Sequence, residues 1–393
     1  MPPEHVLFTR SLVLLALGAF GIPLLCRPLR IPAAVGEILY GILVGPYVLG
    51  LVQVGPFVSV LAELGFYLLM FLAGLELDFS ELERRGREML GASLMAAGAL
   101  FGLSVAATWL MGWPVFLFMV VGATSIGVSV VLLAETGLSR ERTGQVVLLL
   151  GSVGEFGCIL IATGANAYAE SGFGAAFLIS LLQLGGVFLL AYLSLVVLRT
   201  WVWWRPEAFS RLVESHDPSE IGVRAGLAIM FIFVAVTTSL GLEPILGAFL
   251  AGVLFSFAFR HKGPLEMKFM SLGNGFFIPL FFITVGLRFN LPMALSGNFL
   301  LFLQLMAALF LVRLLPCLVF RPPGQSWRDG VCVALGLSAP LTLLVLFANL
   351  GLSMGELDEG MHASIIMLAM ATALVFPFLF KLWVRVLPTG TAP

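Results

Sequence analysis

The chain has 393 residues, 60% of them hydrophobic and only 11% charged, with a formal net charge of −1. A water-soluble domain carries roughly a quarter charged residues, so this composition belongs in lipid. The charge balance excludes a nucleic-acid surface, which needs clustered excess Lys and Arg, and Cys26, Cys158, Cys317 and Cys332 are scattered in apolar runs without the paired spacing of a zinc site or disulfide framework.

The opening residues, Met1 to His5, are not a basic n-region and no small-residue cleavage site follows, so the first apolar stretch reads as a retained helix. A helix needs about 20 apolar residues to cross the hydrocarbon core. Breaks at charges, Pro and Gly divide the chain into about thirteen such segments, at 6–25, 31–51, 57–77, 90–111, 114–137, 143–168, 173–200, 221–241, 244–260, 270–289, 296–320, 328–350 and 358–386. The expected fold is an all-α polytopic membrane protein.

Basic residues set the orientation. Arg27 and Arg30; Arg84, Arg85 and Arg87; Arg140 and Arg142; Arg199, Arg205, Arg211 and Arg224; Arg260, Lys262 and Lys268; Arg321 and Arg328; and Lys381 with Arg385 fall in alternate connections and hold 18 of the 21 basic residues. Those seven segments are expected on the cytoplasmic side, with the N-terminus outside and the C-terminus inside. Arg10 and Arg288 lie near segment ends, where a long side chain snorkels to the interface. Arg313 is deeper.

Two pairs of segments look alike at one offset. Gly36-Glu37-Ile38-Leu39-Tyr40-Gly41-Ile42-Leu43-Val44-Gly45 resembles Leu246-Gly247-Ala248-Phe249-Leu250-Ala251-Gly252-Val253-Leu254-Phe255, and Phe71-Leu72-Ala73-Gly74-Leu75-Glu76-Leu77-Asp78-Phe79 resembles Phe282-Ile283-Thr284-Val285-Gly286-Leu287-Arg288-Phe289-Asn290, both about 210 residues apart. Seven intervening crossings reverse direction, so the halves, approximately 31–200 and 244–386, are expected to be inverted repeats, a transporter architecture. The repeat pairs the fifth segment, with Gly122-Ala123-Thr124-Ser125-Ile126-Gly127, and the twelfth, with Gly336-Leu337-Ser338-Ala339-Pro340-Leu341-Thr342. Small, hydroxyl and proline residues near mid-membrane in both predict interrupted helices whose half-ends and carbonyls face a cation site. Close helix packing on small residues is the competing explanation.

Glu155 is the one acid deep inside a segment, about 20 Å from the end near Arg142 at 1.5 Å per residue. A carboxylate at that depth is a functional candidate. Arg313, in the eleventh segment, is its expected charge partner, although a buried pair that only fixes helix packing fits the same residues. Desolvation disfavours the charged carboxylate and a neighbouring guanidinium favours it, which suits an acid that exchanges a proton for a cation. Arg313 itself stays protonated, so its expected role is to stand in for the cation when the site is empty. Thr124 and Ser125 add hydroxyl oxygens suited to a hard cation. Glu37, Glu63, Glu76, Asp78 and Glu135 lie near segment ends and are expected to be solvated or capping.

The runs Pro32-Ala33-Ala34-Val35-Gly36-Glu37-Ile38-Leu39-Tyr40-Gly41-Ile42-Leu43-Val44-Gly45-Pro46, Phe71-Leu72-Ala73-Gly74-Leu75-Glu76-Leu77, Gly241-Leu242-Glu243-Pro244-Ile245-Leu246-Gly247-Ala248-Phe249-Leu250-Ala251-Gly252 and Pro279-Leu280-Phe281-Phe282-Ile283-Thr284-Val285-Gly286 resemble, in this order, the Kef-type branch of the monovalent cation:proton antiporter family. The resemblance spans nearly the whole chain. It implies thirteen helices in a sodium/proton antiporter fold, with crossed, unwound fifth and twelfth helices. A mobile core is implied over about 90–168 and 296–386, a dimerisation scaffold over about 6–77 and 173–289, and a homodimer in a bacterial inner (plasma) membrane. Glu155 then matches the ion-binding carboxylate, Arg313 the basic residue opposite it, and Thr124 and Ser125 the unwound crossover, with Gly122, Gly127, Ser338, Pro340 and Thr342 around the two breaks. The exchanged ions would be Na+ or K+ and H+, with no cofactor. The chain departs from the family at Gly154-Glu155, where two adjacent polar or acidic residues are common, and at Arg313, where Lys is common. One carboxylate implies one-for-one, electroneutral exchange. The nucleotide-binding regulatory domain of many Kef-type systems is not expected, because the chain ends soon after Arg385. A non-transporting sensor or auxiliary subunit on the same fold, and a solute symporter or channel, stay open. No nucleophile-base set or metal-ligand cluster suggests an enzyme.

Overall fold

A computed structural model describes residues 3–29, 31–76, 87–171, 175–204, 220–258, 263–292, 299–322 and 324–386. Arg30, Asp78, Arg84, Arg85, Arg205, Arg211, Arg260 and Lys262 lie outside the described residues, as do the side chains of Glu76, Arg87, Arg140 and Arg199. The helices are α1 (Pro3–Leu29), α2 (Ala33–Val44), α3 (Pro56–Glu76), α4 (Arg87–Met111), α5 (Leu117–Gly122), α6 (Gly127–Thr136), α7 (Arg142–Ser171), α8 (Ala175–Trp204), α9 (Ile221–Ser239), α10 (Pro244–Ala258), α11 (Gly263–Leu272), α12 (Ile278–Arg288), α13 (Phe299–Val319), α14 (Trp327–Leu337), α15 (Leu341–Ser353) and α16 (Glu359–Val386).

Among the described residues, nine helices are long and apolar enough to cross a membrane, and α14 with α15, bent by 50° at their junction, make a tenth. Ala33–Val44, Leu117–Leu133 and Pro244–Phe257 are shorter apolar stretches. Trp109 is 81% exposed and Leu182 75%. Such surfaces are untenable in water and mark faces turned to lipid.

Two segments differ from the sequence expectation. The second, expected over 31–51, yields only the 12-residue α2, because Gly45 turns extended (φ −71°, ψ 173°) just before Pro46, a position where the helical conformation is disfavoured. The tenth begins at Gly263 instead of 270 and runs through a π-helical turn, Gly273–Phe277, into α12. The expectation of a solvated Glu37 is also corrected: it is 3% exposed, on the buried side of α2. Glu63 is exposed as expected, and Glu135 pairs with Lys381 at 2.5 Å. All four cysteines are buried and free.

The chain divides into two compact units, Met1–Ser80 with Thr163–Arg288, and Glu81–Ala162 with Phe289–Pro393. In the first, α10 packs on α3 and α9, and α12 packs on α2 and α3. Two helix crossings in this unit are built from paired glycines. A Cβ on Gly41 would lie 2.0 Å from the Ile283 carbonyl oxygen, and one on Gly286 would lie 2.0 Å from that of Ile38. A Cβ on Gly74 would lie 2.1 Å from the Phe249 oxygen, and one on Gly252 would lie 2.0 Å from that of Phe71. In each crossing a glycine covers the carbonyl three residues before its partner glycine. The two crossings therefore repeat one geometry, and their members, Gly41 with Gly252 and Gly74 with Gly286, stand 211 and 212 residues apart. Beside the α3–α10 crossing, the rings of Phe71, Phe255 and Phe269 pack edge to face or tilted.

In the second unit, α13 packs on α4, α5, α14 and α16, and α15 packs on α16 and α5. The interruption between α5 and α6 spans Ala123–Ile126, and that between α14 and α15 spans Ser338–Pro340. Ala123 leaves the helical region at ψ 118°. Pro340 supplies no N–H and biases Ala339 away from the helical region, which stops α14. At its other end α14 is fixed by a capping box in which Ser326 accepts from the Asp329 N–H while the Asp329 carboxylate accepts from the Ser326 N–H.

Candidate ion-binding site

Helix α7 carries Glu155 thirteen residues beyond its first residue, Arg142, about 20 Å along the axis. The side chain is 1% exposed. Ser125 Oγ donates to Oε1 at 2.8 Å and the Ile126 N–H donates to Oε2 at 3.2 Å. Both donors come from the interruption ahead of α6, where amide groups have no intrahelical acceptor, and a carboxylate at a helix start is favourably placed against its dipole. Ser125 Oγ also lies 3.2 Å from Thr342 Oγ1 in the first turn of α15, so hydroxyls from both interrupted helices meet beside one carboxylate. The fold thus brings together Glu155, Ser125 and Thr342, all three named from sequence.

Arg313 is fully buried, and the expected ion pair is not what it makes. Its Nε donates to the Leu337 carbonyl at 3.2 Å and its Nη1 to the Val121 carbonyl at 3.1 Å, with further donation to the carbonyls of Leu309 and Ala123. Glu155 and Arg313 form no ion pair with each other; the acid is held instead by Ser125 and Ile126. The reason lies in the two broken helices. Each first half ends in carbonyls without intrahelical donors, those ends carry partial negative charge, and the forked guanidinium serves Val121, Ala123 and Leu337 together as no other side chain can. A positive charge is thereby buried against backbone dipoles.

The remaining expected residues shape the breaks. Thr124 Oγ1 donates to the Gly122 carbonyl at 3.1 Å, so this hydroxyl is spent on the chain's own break. Cys158 Sγ donates to the same carbonyl at 3.7 Å. A Cβ on Gly122 would press on Ser104 Oγ at 3.1 Å, whereas Gly127 opens α6 with nothing within 4 Å of such an atom. Ser338 Oγ donates to the Ala334 carbonyl at 2.6 Å and closes the end of α14, while Pro340 starts α15. Sequence reasoning missed Ser129, whose Oγ donates to the Gly336 carbonyl at 2.7 Å and ties α6 to the end of α14. Its spacing of four from Ser125, one helical turn, is the signal that was available. Gly154 is explained by crowding: a Cβ there would lie 2.9 Å from Thr124 Cβ.

A buried carboxylate among hydroxyls, at the meeting of two broken helices whose carbonyl ends are neutralised by one cation, defines an ion-translocating membrane protein of the secondary-transporter class. The chain belongs to the sodium/hydrogen exchanger, transmembrane, family, whose model matches residues 13–386. It is 30% identical to YjbQ of Bacillus subtilis, named as a candidate Na+/H+ antiporter, over 94% of this chain and 62% of that protein. It therefore spans a little under two thirds of that relative's length. It is 28% identical to the Na+/H+-K+ antiporter GerN of Bacillus cereus, over 89% of each chain. The solved structure of the sodium proton antiporter MjNhaP1 from Methanocaldococcus jannaschii has a similar fold, with a TM-score of 0.67 at 13% identity over 97% of this chain and 98% of that one.

Proposed function

We propose that this chain exchanges Na+ or K+ for H+ at Glu155, one ion for one proton. The observation that carries the reading is the enclosed Glu155 carboxylate, with Ser125 Oγ at 2.8 Å and Thr342 Oγ1 beyond it. Carboxylate and hydroxyl oxygens are the donor set a hard monovalent cation prefers. Each hydroxyl keeps lone pairs for a cation while its proton rotates to another acceptor. With a proton on the carboxylate the buried site is neutral; with a cation beside the ionised carboxylate it is neutral again, and the intermediate state with neither is the costly one. That cost couples loss of the proton to arrival of the cation. Arg313 keeps its charge throughout, because its task is to hold the carbonyl ends of α5 and α14 together. The names of the relatives, which include Na+/H+ and Na+/H+-K+ antiporters, support the choice of ions.

A single acid supports electroneutral exchange. A second carboxylate in place of Gly154 would have to displace Thr124 from van der Waals contact. Assignment to the Kef-type branch, a homodimer, a bacterial inner membrane and an N-terminus on the outer face are part of the same proposal, supported by the ordered motifs and the alternating basic loops. Fluorescence dequenching in proteoliposomes, comparing sodium, potassium and lithium across pH, tests it. Glu155→Gln should abolish cation-driven pH change while the protein stays folded. Current at zero load would refute one-for-one exchange, and undiminished exchange by Glu155→Gln would refute the site.

A further inference from the structure

Away from Glu155, the second unit holds a polar constellation that ion exchange does not use. Where α13 ends and α14 begins, Ser93 of α4, Arg321 and Gln325 of the α13–α14 loop, and an apolar floor including Ala96, Leu150 and Val333 line a small cavity of about 10 Å³. That is room for roughly one oxygen-sized guest. Two buried polar atoms at this cavity have no hydrogen-bond partner, Ser93 Oγ and Gln325 Nε2. Ser93 is 2% exposed. Three other helical hydroxyls of this unit, Ser104, Thr108 and Ser152, each donate to the carbonyl four residues earlier, at 2.7, 2.9 and 2.7 Å. Ser93 leaves that option unused. A buried donor without an acceptor is costly and rare, and where a fold retains one, something outside the chain commonly supplies the missing group.

Among the described residues, the free charges nearby are positive. Arg321 lines the cavity, and Arg142 reaches the same loop, its Nη1 3.3 Å from where a Cβ on Gly324 would lie. Asp329 is the neighbouring acid, and its carboxylate is already occupied by Ser326 and by Thr143 Oγ1 at 3.0 Å. Among the described residues, no acid lines the cavity. We infer that this cavity takes one oxygen of a phosphate-type oxyanion, bonded by Ser93 Oγ and Gln325 Nε2, with the other oxygens against the Arg321 guanidinium at its mouth. Phosphate and guanidinium match in geometry as well as charge. The group can come from an anionic lipid headgroup or from free phosphate. The two helices that border the cavity, α4 and α13, also expose apolar side chains, among them Leu94, Met95, Leu315 and Val319, which offer acyl chains a place to lie and favour the lipid. Basic pockets between membrane helices are recurrent headgroup sites.

The test uses the full chain in mild detergent, with phosphatidylglycerol, phosphatidylcholine or inorganic phosphate added, and reads the thermal unfolding midpoint. A ligand that binds only the folded state raises that midpoint, and the rise grows with the logarithm of ligand concentration above Kd. Phosphatidylglycerol should raise it and phosphatidylcholine should not, and Ser93→Ala and Arg321→Gln should each lose at least half of the rise. Ser93→Ala removes an unpartnered hydroxyl, so it should fold as well as the parent and keeps the test valid should Arg321→Gln fold poorly. A rise with inorganic phosphate alone, lost in the same variants, supports the site and names a soluble source. No rise with any anion, or a full rise in both variants, overturns the inference. Glu155→Gln should respond like the parent, so the result stands apart from the exchange proposal.

Discussion

Replacing Arg313 by Met tests the role the structure gives it. Met fills much of the same volume without donors. Three carbonyls would then lose their partner: Val121 in the last turn of α5, Ala123 just after it, and Leu337 at the end of α14. The Leu309 carbonyl is spared, because the helical N–H of residue 313 still reaches it. An orphaned buried acceptor costs about 1–3 kcal/mol, so three set a range of about 3–9 kcal/mol. Removing a fully buried guanidinium returns part of this, because its own desolvation no longer opposes folding. The expected net loss is near the lower bound, about 3 kcal/mol, which for a unit of this size lowers the unfolding midpoint by about 6–12 °C. Arg313→Lys keeps the charge but offers one nitrogen to three diverging carbonyls, and should fall between parent and Met. Intrinsic fluorescence during heating in mild detergent reads all three proteins. If Arg313→Met unfolds at the parent's temperature, the carbonyl ends do not depend on the guanidinium and the reasoning fails.

Ser125→Ala removes both a donor to Glu155 and one oxygen from the proposed cation shell; a charge-assisted bond of about 1.5 kcal/mol or more corresponds to a tenfold or greater rise in apparent KM for the cation, read by dequenching at fixed pH. Gly286→Ala places a Cβ 2.0 Å from the Ile38 oxygen and must push α12 off α2, costing about 1–3 kcal/mol. Gly41→Ala should cost about the same, and the double variant less than the sum, since one separation relieves both contacts; strict additivity in unfolding midpoints would count against a shared crossing. Asp329→Ala loses half of the capping box and the bond from Thr143, so it should lower stability by about 1–2 kcal/mol while leaving cation KM unchanged.

The breaks in the fifth and twelfth segments were legible because they are written in local chemistry: Pro340 removes a donor and stops the helix before it, and Thr124-Ser125, set between Gly122 and Gly127, offers hydroxyls that compete for backbone groups. Glu155 was legible for a similar reason, since a lone acid far from either end of an apolar run must be accounted for. What the sequence hid was pairing. Arg313 and Glu155 were matched because each looked like the other's only remedy, yet the breaks themselves create carbonyl acceptors and amide donors that serve each charge separately. Those groups are backbone, carried by every residue type, and only the three-dimensional meeting of two helix ends reveals them. Glu37 misled in the opposite direction. Its position near the start of a segment suggested solvent, but α2 is short and packed on α12, so the first turn is already interior.

The paired glycine crossings have a mechanical consequence. At Gly41 with Gly286, and at Gly74 with Gly252, main chain rests directly on main chain, with no rotatable side chain to yield as a cushion. Four helices are in effect riveted in two places, and an interface of that kind resists sliding and twisting alike. Any displacement that carries an ion across the bilayer would have to leave those joints intact, so each joined pair of helices should move as one piece.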